Sequence, residues 1–399
     1  MVHVITIDRQ GSDRSLETQG LPGPGTIQRF AERRHRLRLE HPPELIWAGS
    51  SSAVWRLRTA CGEYLAKVFT ARTRDVRIVR KEVAIYAWLR RFDIHVPEVS
   101  STVAGRQVET LTVGSLVPPR FERFPAMVMR LEKLRTIQPE SVTRDELRLI
   151  ARRLASIHES LRQYPDRDGI RRSDLWDIEQ SSFTDFLRSP NAHLFETRDL
   201  EGLHELDQRM ELVTRSVQLP SPLTESVLHG DLGMDHVQLL DGDHPHAGEP
   251  YFFDFSDFVR GPVALELAIM LLHLFGRSTI TFTRWKELGG WVLEGYCSAT
   301  RLTDDDVRAI DALLVPWALT SIRYQTRRAI RSGAPGNVAQ IRRRYQLAAH
   351  LLNDDRPCTG LIRPESPHRM APRATRPRRA RAEYESDTPT RQPRSQRFS

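Results

Sequence analysis

Apolar side chains recur at every second position in short runs up to about residue 130 of this 399-residue chain, and at every third or fourth position beyond it. That change of period calls for a strand-rich part followed by a helical one. In the first part, residues 45–47, 54–58 and 64–69 read as strands, joined by the small-residue turn Ala48-Gly-Ser-Ser-Ser-Ala53 and a Cys61-Gly62 turn. Val79, Val83, Tyr86 and Ala87 then place an apolar face on a helix over 76–91, and strands follow at 94–99, interrupted by Pro97, at 107–113 and at 126–129. In the second part, Thr143-Arg-Asp-Glu146 is a capping box opening a helix whose Leu147, Ile150, Leu154, Ile157 and Leu161 share one face. Helices are also expected at 174–188, 199–215, 263–275, 283–297, 304–331 (with Pro316 inside) and 337–353. Short strands are expected at 227–228, 237–240 and 251–253. The stretch ending Leu21-Pro-Gly-Pro-Gly25 reads as a flexible leader.

Charge and cysteine content narrow the function classes. The formal net charge is +8, but residues 356–399 hold 11 arginines and 4 acids with seven prolines, a composition that cannot bury enough surface to fold and reads as a disordered tail. Residues 166–265 hold 8 basic residues against 20 acids. Once the tail is set apart, the charge no longer argues for nucleic-acid binding by the folded body, where it is not expected, while the tail's arginines would give weak, salt-sensitive affinity. Three widely spaced cysteines, Cys61, Cys297 and Cys358, suit neither a disulfide framework nor a thiolate zinc site. The longest apolar run, 265–275, is broken by Glu266 and His273 and is too short to span a bilayer, and no secretory pattern opens the chain; a cytoplasmic protein without a membrane partner is expected.

The chemistry concentrates in Val227-Leu-His-Gly-Asp-Leu-Gly-Met-Asp-His-Val-Gln-Leu-Leu240 and, after a turn, Tyr251-Phe-Phe-Asp-Phe-Ser-Asp-Phe-Val-Arg-Gly-Pro262. Asp231 lies in a loop between apolar strands, and Asp254 just after the next strand. Phosphoryl transfer needs one carboxylate to take or orient a hydroxyl proton and another to hold the metal that neutralises the phosphates. Two loop carboxylates at neighbouring strand ends can supply both. Only four lysines occur, Lys67, Lys81, Lys133 and Lys286, so Lys67 at the end of a strand pattern stands out.

This arrangement resembles the His-Gly-Asp-x-x-x-x-Asn catalytic loop and downstream Asp-Phe motif of the aminoglycoside phosphotransferase and choline kinase-like family, the small-molecule branch of the protein-kinase-like fold. His229-Gly230-Asp231, Asp254 and the run from Arg260-Gly261-Pro262 through Glu266 carry the likeness, which covers roughly residues 40–355. The resemblance implies an α+β, bilobal protein-kinase-like fold. Its parts would be a leader at 1–25, a small β-rich nucleotide-binding N-lobe at 26–130, a larger, mainly helical C-lobe at 131–355 with the catalytic loop and substrate site, and a disordered tail at 356–399. It implies ATP and Mg²⁺ as cofactors, Asp231 as catalytic base, Asp254 as metal ligand and Lys67 with Glu82 as phosphate clamp. Gly49, Ser50, Ser51 and Ser52 would cover the phosphates, and Met129 and Leu131 would meet adenine where the lobes join. The implied reaction carries the γ-phosphate of ATP to a hydroxyl of a small molecule: an aminoglycoside-like antibiotic, an amino alcohol or a sugar. The acidic stretch admits a cationic acceptor, or is simply a solvated face.

Two departures from the family pattern stand out. The phosphate-covering turn has a single glycine, and the position five after Asp231, usually Asn and a second metal ligand, is His236, a softer and bulkier donor than Mg²⁺ favours. A catalytically impaired nucleotide-binding protein is therefore the competing expectation. His229 is expected to order the loop through backbone bonds, and His158 to pack in the core. A protein kinase does not fit, since the next helix follows Asp254 within about a dozen residues and leaves no room for a long activation segment.

Overall fold

The structure is a computed structural model, and it describes residues 22–48, 52–70, 75–116, 119–173, 197–332 and 336–353. Most of the expected leader, the expected helix at 174–188 and the expected tail lie outside the described residues.

Five antiparallel strands form the N-terminal sheet, in the order β1 (Glu44–Ala48), β2 (Ser52–Thr59), β3 (Gly62–Phe69), β5 (Pro119–Arg130) and β4 (Glu109–Leu116). Lys67 pairs with Val54 on one side and Met127 on the other, so it stands on the central strand. Its neighbours Ala66 and Val68 face the opposite side of the sheet, where Trp55, Leu57, Phe124 and Val128 bury against Ile27, Phe30 and Ala31. Those last three residues belong to helix α1 (Pro24–His35), which the sequence reading did not expect. The Pro-Gly repeat looked like a turn, yet Pro24 stands at the start of the helix, where a missing N–H costs nothing. The helix begins two residues inside the stretch read as leader. By covering the second face of the sheet, it also explains why β3 is buried at four successive positions and loses its period of two.

Helix α2 (Val76–Arg90) lies on the other face, capped by Asp75, whose side chain accepts the Arg77 N–H. It buries Val79, Val83, Tyr86 and Leu89 in a core shared with the helical lobe. Residues 94–99 do not form a strand. Pro97 withholds a donor, and only isolated bridges remain, His95 to Tyr251 and Val99 to Met129.

Beyond Arg130, β6 (Leu134–Thr136), β8 (Val237–Leu240) and β9 (Pro250–Phe252) make a three-stranded sheet, while β7 (Glu225–Leu228) pairs with β10 (Val259–Pro262). Around them pack α3 (Arg144–Arg162), α4 (Thr197–Ser216), α5 (Val263–Gly276), α6 (Phe282–Cys297), α7 (Asp304–Ser332) and α8 (Gly336–Asn353). The capping box at the start of α3 is formed in both directions. Every residue of α5 is buried, as suits a helix that is apolar all round. Trp88 of α2 donates its indole N–H to the Ser160 carbonyl of α3 at 3.0 Å, tying the two lobes together behind the cleft.

Phe30 is 3% exposed, so Phe30→Ala should destabilise the protein by about 3 kcal/mol in urea denaturation. A loss below about 1 kcal/mol would mean that α1 does not seal the sheet.

Candidate active site

Three elements meet at Lys67. Its Nζ lies 2.6 Å from Asp254 Oδ1 and 3.4 Å from Glu82 Oε1, joining β3, α2 and the turn after β9. Burial works against the ammonium charge, but Asp254 and Glu82 outweigh it and the lysine pKa rises. Burial likewise pushes the Asp254 carboxyl up, yet Lys67 overrides this and holds it far below the usual carboxylate range. Tyr86 locks the arrangement. Its hydroxyl donates to Glu82 Oε1 at 2.8 Å and accepts the backbone N–H groups of Asp254 and Phe255 at 3.1 and 3.2 Å. Asp254 itself sits in the left-handed region, with φ 64° and ψ 52°. Aspartate tolerates that conformation better than most residues, and the hydroxyl gives both freed donors a partner.

The loop between β7 and β8 carries Asp231, Asp235 and His236. Its shape is set from below by Glu266 of α5, fully buried, which accepts the N–H of His229 and that of Gly230, the latter at 3.2 Å. Gly230 has φ 87°, and a Cβ there would lie 2.1 Å from the Asp257 carbonyl, so no other residue fits. His229 bonds the Phe253 carbonyl through Nε2 at 2.9 Å, the ordering role expected of it. His158, also in the core, bonds Tyr296 through Nδ1 at 2.8 Å. His236 bonds the Asp231 carbonyl through Nδ1 at 2.7 Å, and its ring stacks on His229 at 5.4 Å. Because Phe253 donates its N–H to the His236 carbonyl at 3.1 Å, the residues just before Asp254 lie against the end of the loop.

Asp231 is 38% exposed at its side chain and faces α5, where Arg277 Nη2 and His273 Nε2 each approach Oδ1 to 3.4 Å. Burial is the larger influence on its pKa, Arg277 opposes it, and the net shift is upward. His273 is buried beside Arg277 and Arg344, which keeps its pKa well below the ordinary value and the imidazole neutral. Arg277 also binds Asp235 through Nη1.

The sequence-named residues thus separate into two groups. Lys67, Glu82, Asp254, Asp231 and His236 stand on converging elements around the cleft. Ser52 opens β2, buried opposite Phe69, while Gly49, Ser50 and Ser51 lie outside the described residues. Met129 is buried on β5; the N–H of Leu131, just beyond that strand, is engaged by the Glu63 carbonyl at 3.0 Å. Tyr86, Glu266, His273 and Arg277 were missed as site residues. A Glu and a His inside an otherwise apolar run were the available signal for Glu266 and His273, and there was none for Arg277.

Among the described residues no group of three or more His, Cys, Asp and Glu side chains could hold a metal by itself. One partly exposed carboxylate, Asp254, nevertheless suits Mg²⁺, which takes one or two carboxylates and completes its shell with water and substrate phosphates. His236 offers only Nε2 for such a role, since Nδ1 is engaged.

Residues 43–308 match the phosphotransferase enzyme family. The chain belongs to that family. Solved structures of similar fold include an amicoumacin kinase in complex with AMP-PNP, Ca²⁺ and Ami (14% identity, TM-score 0.62, covering 84% of this chain and 95% of that one). A microcompartment-associated aminopropanol kinase is similar too (18% identity, TM-score 0.60, covering 82% and 97%), as is a spectinomycin phosphotransferase in complex with ADP and spectinomycin (12%, 0.58, 86% and 98%). No curated protein sequence matches the chain. The fold is the bilobal, protein-kinase-like one, with aminoglycoside phosphotransferases and choline or ethanolamine kinases among its relatives. Among the described residues no helix is long and apolar enough to cross a membrane.

Replacing Lys67 leaves the buried Glu82 and the partly exposed Asp254 without their cation, so Lys67→Met should cost about 3 kcal/mol at pH 7. In the wild type the depressed Asp254 pKa contributes stability that is present above the unfolded value of about 3.9 and is lost as pH falls through the folded value. Burial already raises the Glu82 pKa in the wild type, and without the lysine burial raises that of Asp254 as well, so the variant gains protons on folding and its deficit should shrink between pH 7 and pH 4. A deficit that stays constant in denaturation at both pH values would contradict this account.

Proposed function

We propose that this member of the phosphotransferase family transfers the γ-phosphate of ATP to a hydroxyl of a small molecule, with Mg²⁺ as cofactor. The observation that carries the proposal is the convergence of Lys67, Glu82 and Asp254 beside the loop of the partly exposed Asp231, which the Phe253 N–H joins at the His236 carbonyl. Lys67, held by Glu82, which Tyr86 fixes in turn, is positioned to receive phosphate oxygens in place of the Asp254 carboxylate that it now binds. Asp254 would hold Mg²⁺, which supplies neutralisation of the β- and γ-phosphate charge. Asp231 orients the acceptor hydroxyl and takes its proton as that oxygen bonds to the γ-phosphorus, and ADP leaves with the electrons of the broken P–O bond. The raised Asp231 pKa makes it a better proton acceptor than an ordinary aspartate. Most of the rate in such a site comes from positioning and charge neutralisation. ADP among the ligands of the similar spectinomycin phosphotransferase and AMP-PNP among those of the amicoumacin kinase support the choice of nucleotide.

Asp231→Asn should lower kcat by about 10²- to 10⁴-fold while leaving AMP-PNP affinity within a few fold of wild type. Because Asp231 must be ionised, and its pKa lies above the ordinary value, activity should fall on acidification at a higher pH than an unperturbed aspartate would allow. Absence of any AMP-PNP binding in the presence of Mg²⁺, measured by calorimetry, would remove the proposal.

A second reading, a nucleotide-binding protein of low turnover, draws on His236, whose Nδ1 is committed to the loop backbone. His236→Asn raising kcat at least tenfold would favour it. An unchanged or lower kcat would favour a competent enzyme in which the imidazole holds the loop.

A further inference from the structure

Behind Asp231 lies a second cluster that the transfer chemistry does not use. Arg344 of α8 is fully buried, and its Nε, Nη1 and Nη2 have no hydrogen-bond partner among the described residues. Its stem presses on α5 at Gly276, where a Cβ would lie 3.1 Å from Arg344 Cγ and 3.2 Å from Nε. The residue just after α5 is Arg277, 21% exposed, which reaches Asp231 and Asp235. His273, one turn earlier, presents a buried Nδ1 that also lacks a partner among the described residues. Gly233 of the catalytic loop closes down on the group: a Cβ there would meet Asp235 Oδ1 at 2.6 Å, His273 Nδ1 at 2.7 Å and Arg277 Nη1 at 3.3 Å.

A buried guanidinium with its donors idle is costly, and folded proteins seldom leave one so. Arg344 stays charged near neutral pH even though burial, reinforced by Arg277, lowers its pKa to about 10. Arg277 is already engaged by Asp231 and Asp235, so the donors left without a partner at this wall, among the described residues, are those of the buried Arg344 guanidinium. An oxyanion finds unused donors there in a planar fork that suits carboxylate or phosphate.

We propose that the acceptor carries an oxyanion, carboxylate or phosphate, close to the hydroxyl it offers, and that Arg277 and Arg344 form its subsite beside Asp231. This rests on the phosphotransferase reading of Asp231 and names the substrate class for it. Arg277, the exposed member, meets the anion first, and Arg344 supplies the second charge and fork from behind. Drawing Arg277 Nη2 toward the anion releases Asp231 Oδ1 to face the hydroxyl, so anion binding and readiness of the base are coupled.

The test uses the full chain saturated with AMP-PNP and Mg²⁺, titrated with malonate as a carboxylate probe and sulfate as a tetrahedral one, at constant ionic strength made up with chloride. Wild type should bind at least one probe, and the tighter of the two identifies the group. Arg344→Met and Arg277→Gln should each weaken that binding at least tenfold while keeping AMP-PNP affinity. Arg277→Gln, at a partly exposed position, keeps the test open if the buried substitution fails to fold. Anion affinity equal to wild type in the arginine variants, or no anion binding by the wild type, overturns the subsite. Loss of AMP-PNP binding by the wild type would instead strike the phosphotransferase reading, and the anion titration of the nucleotide-free protein would still decide the subsite.

Discussion

The structure is organised around one buried ammonium group. Lys67 can remain charged in the interior because two carboxylates from different parts of the chain reach it: Glu82 from the helix of its own lobe and Asp254 from the opposite lobe. Charges removed from water are tolerated only with close partners and further hydrogen bonds. Tyr86 supplies those bonds, spending its hydroxyl on Glu82 and on the backbone that turns at Asp254. The strand, the helix and the left-handed turn thus depend on one another, and the cleft inherits its geometry from that dependence.

A second buried carboxylate does for the loop between β7 and β8 what Lys67 does for the cleft. Glu266, inside a helix whose every residue is buried, accepts the N–H groups of His229 and Gly230 and holds the loop in a conformation open only to glycine at position 230. Helix α5 therefore acts as a platform as well as core. Its buried carboxylate fixes the loop from below, and Arg277, at its end, reaches the loop's two acids. The polarity of the site and the stability of the lobe come from the same helix.

Charge is distributed by tertiary pairing rather than along the chain. Residues 166–265 are strongly acidic in sequence, yet many of their described acids meet arginines or lysine from elsewhere. Glu249 meets Arg153 at 2.7 Å, Asp207 and Glu211 meet Arg323 at 3.3 and 2.7 Å, and Asp254 meets Lys67. Those described acids are consequently not free to gather a polycation, and near Asp231 the buried cation Arg344 lacks a hydrogen-bond partner among the described residues.

Much of the site was legible because its signals are local. The His-Gly-Asp run, the aspartate after an apolar strand, the lysine at the end of a strand and the Thr143 capping box each lie within a few residues, where spacing reports chemistry. The change of hydrophobic period likewise separated a β-rich lobe from a helical one. Other features were invisible because they depend on partners far away in the chain. Nothing in Leu21-Pro-Gly-Pro-Gly25 announces a helix; α1 exists because the sheet has a second apolar face to cover. Residues 94–99 have a strand's composition but Pro97 denies them a ladder, so docking on Tyr251 and Met129 takes its place. Tyr86 looked like one more apolar position, and Arg344 like one of three consecutive arginines in a helix. The sequence by itself determined the chemistry available and the order in which it is presented. Only the tertiary structure decided which charges are matched, because a pair such as Lys67 and Asp254, 187 residues apart, is made by packing and leaves no periodic trace.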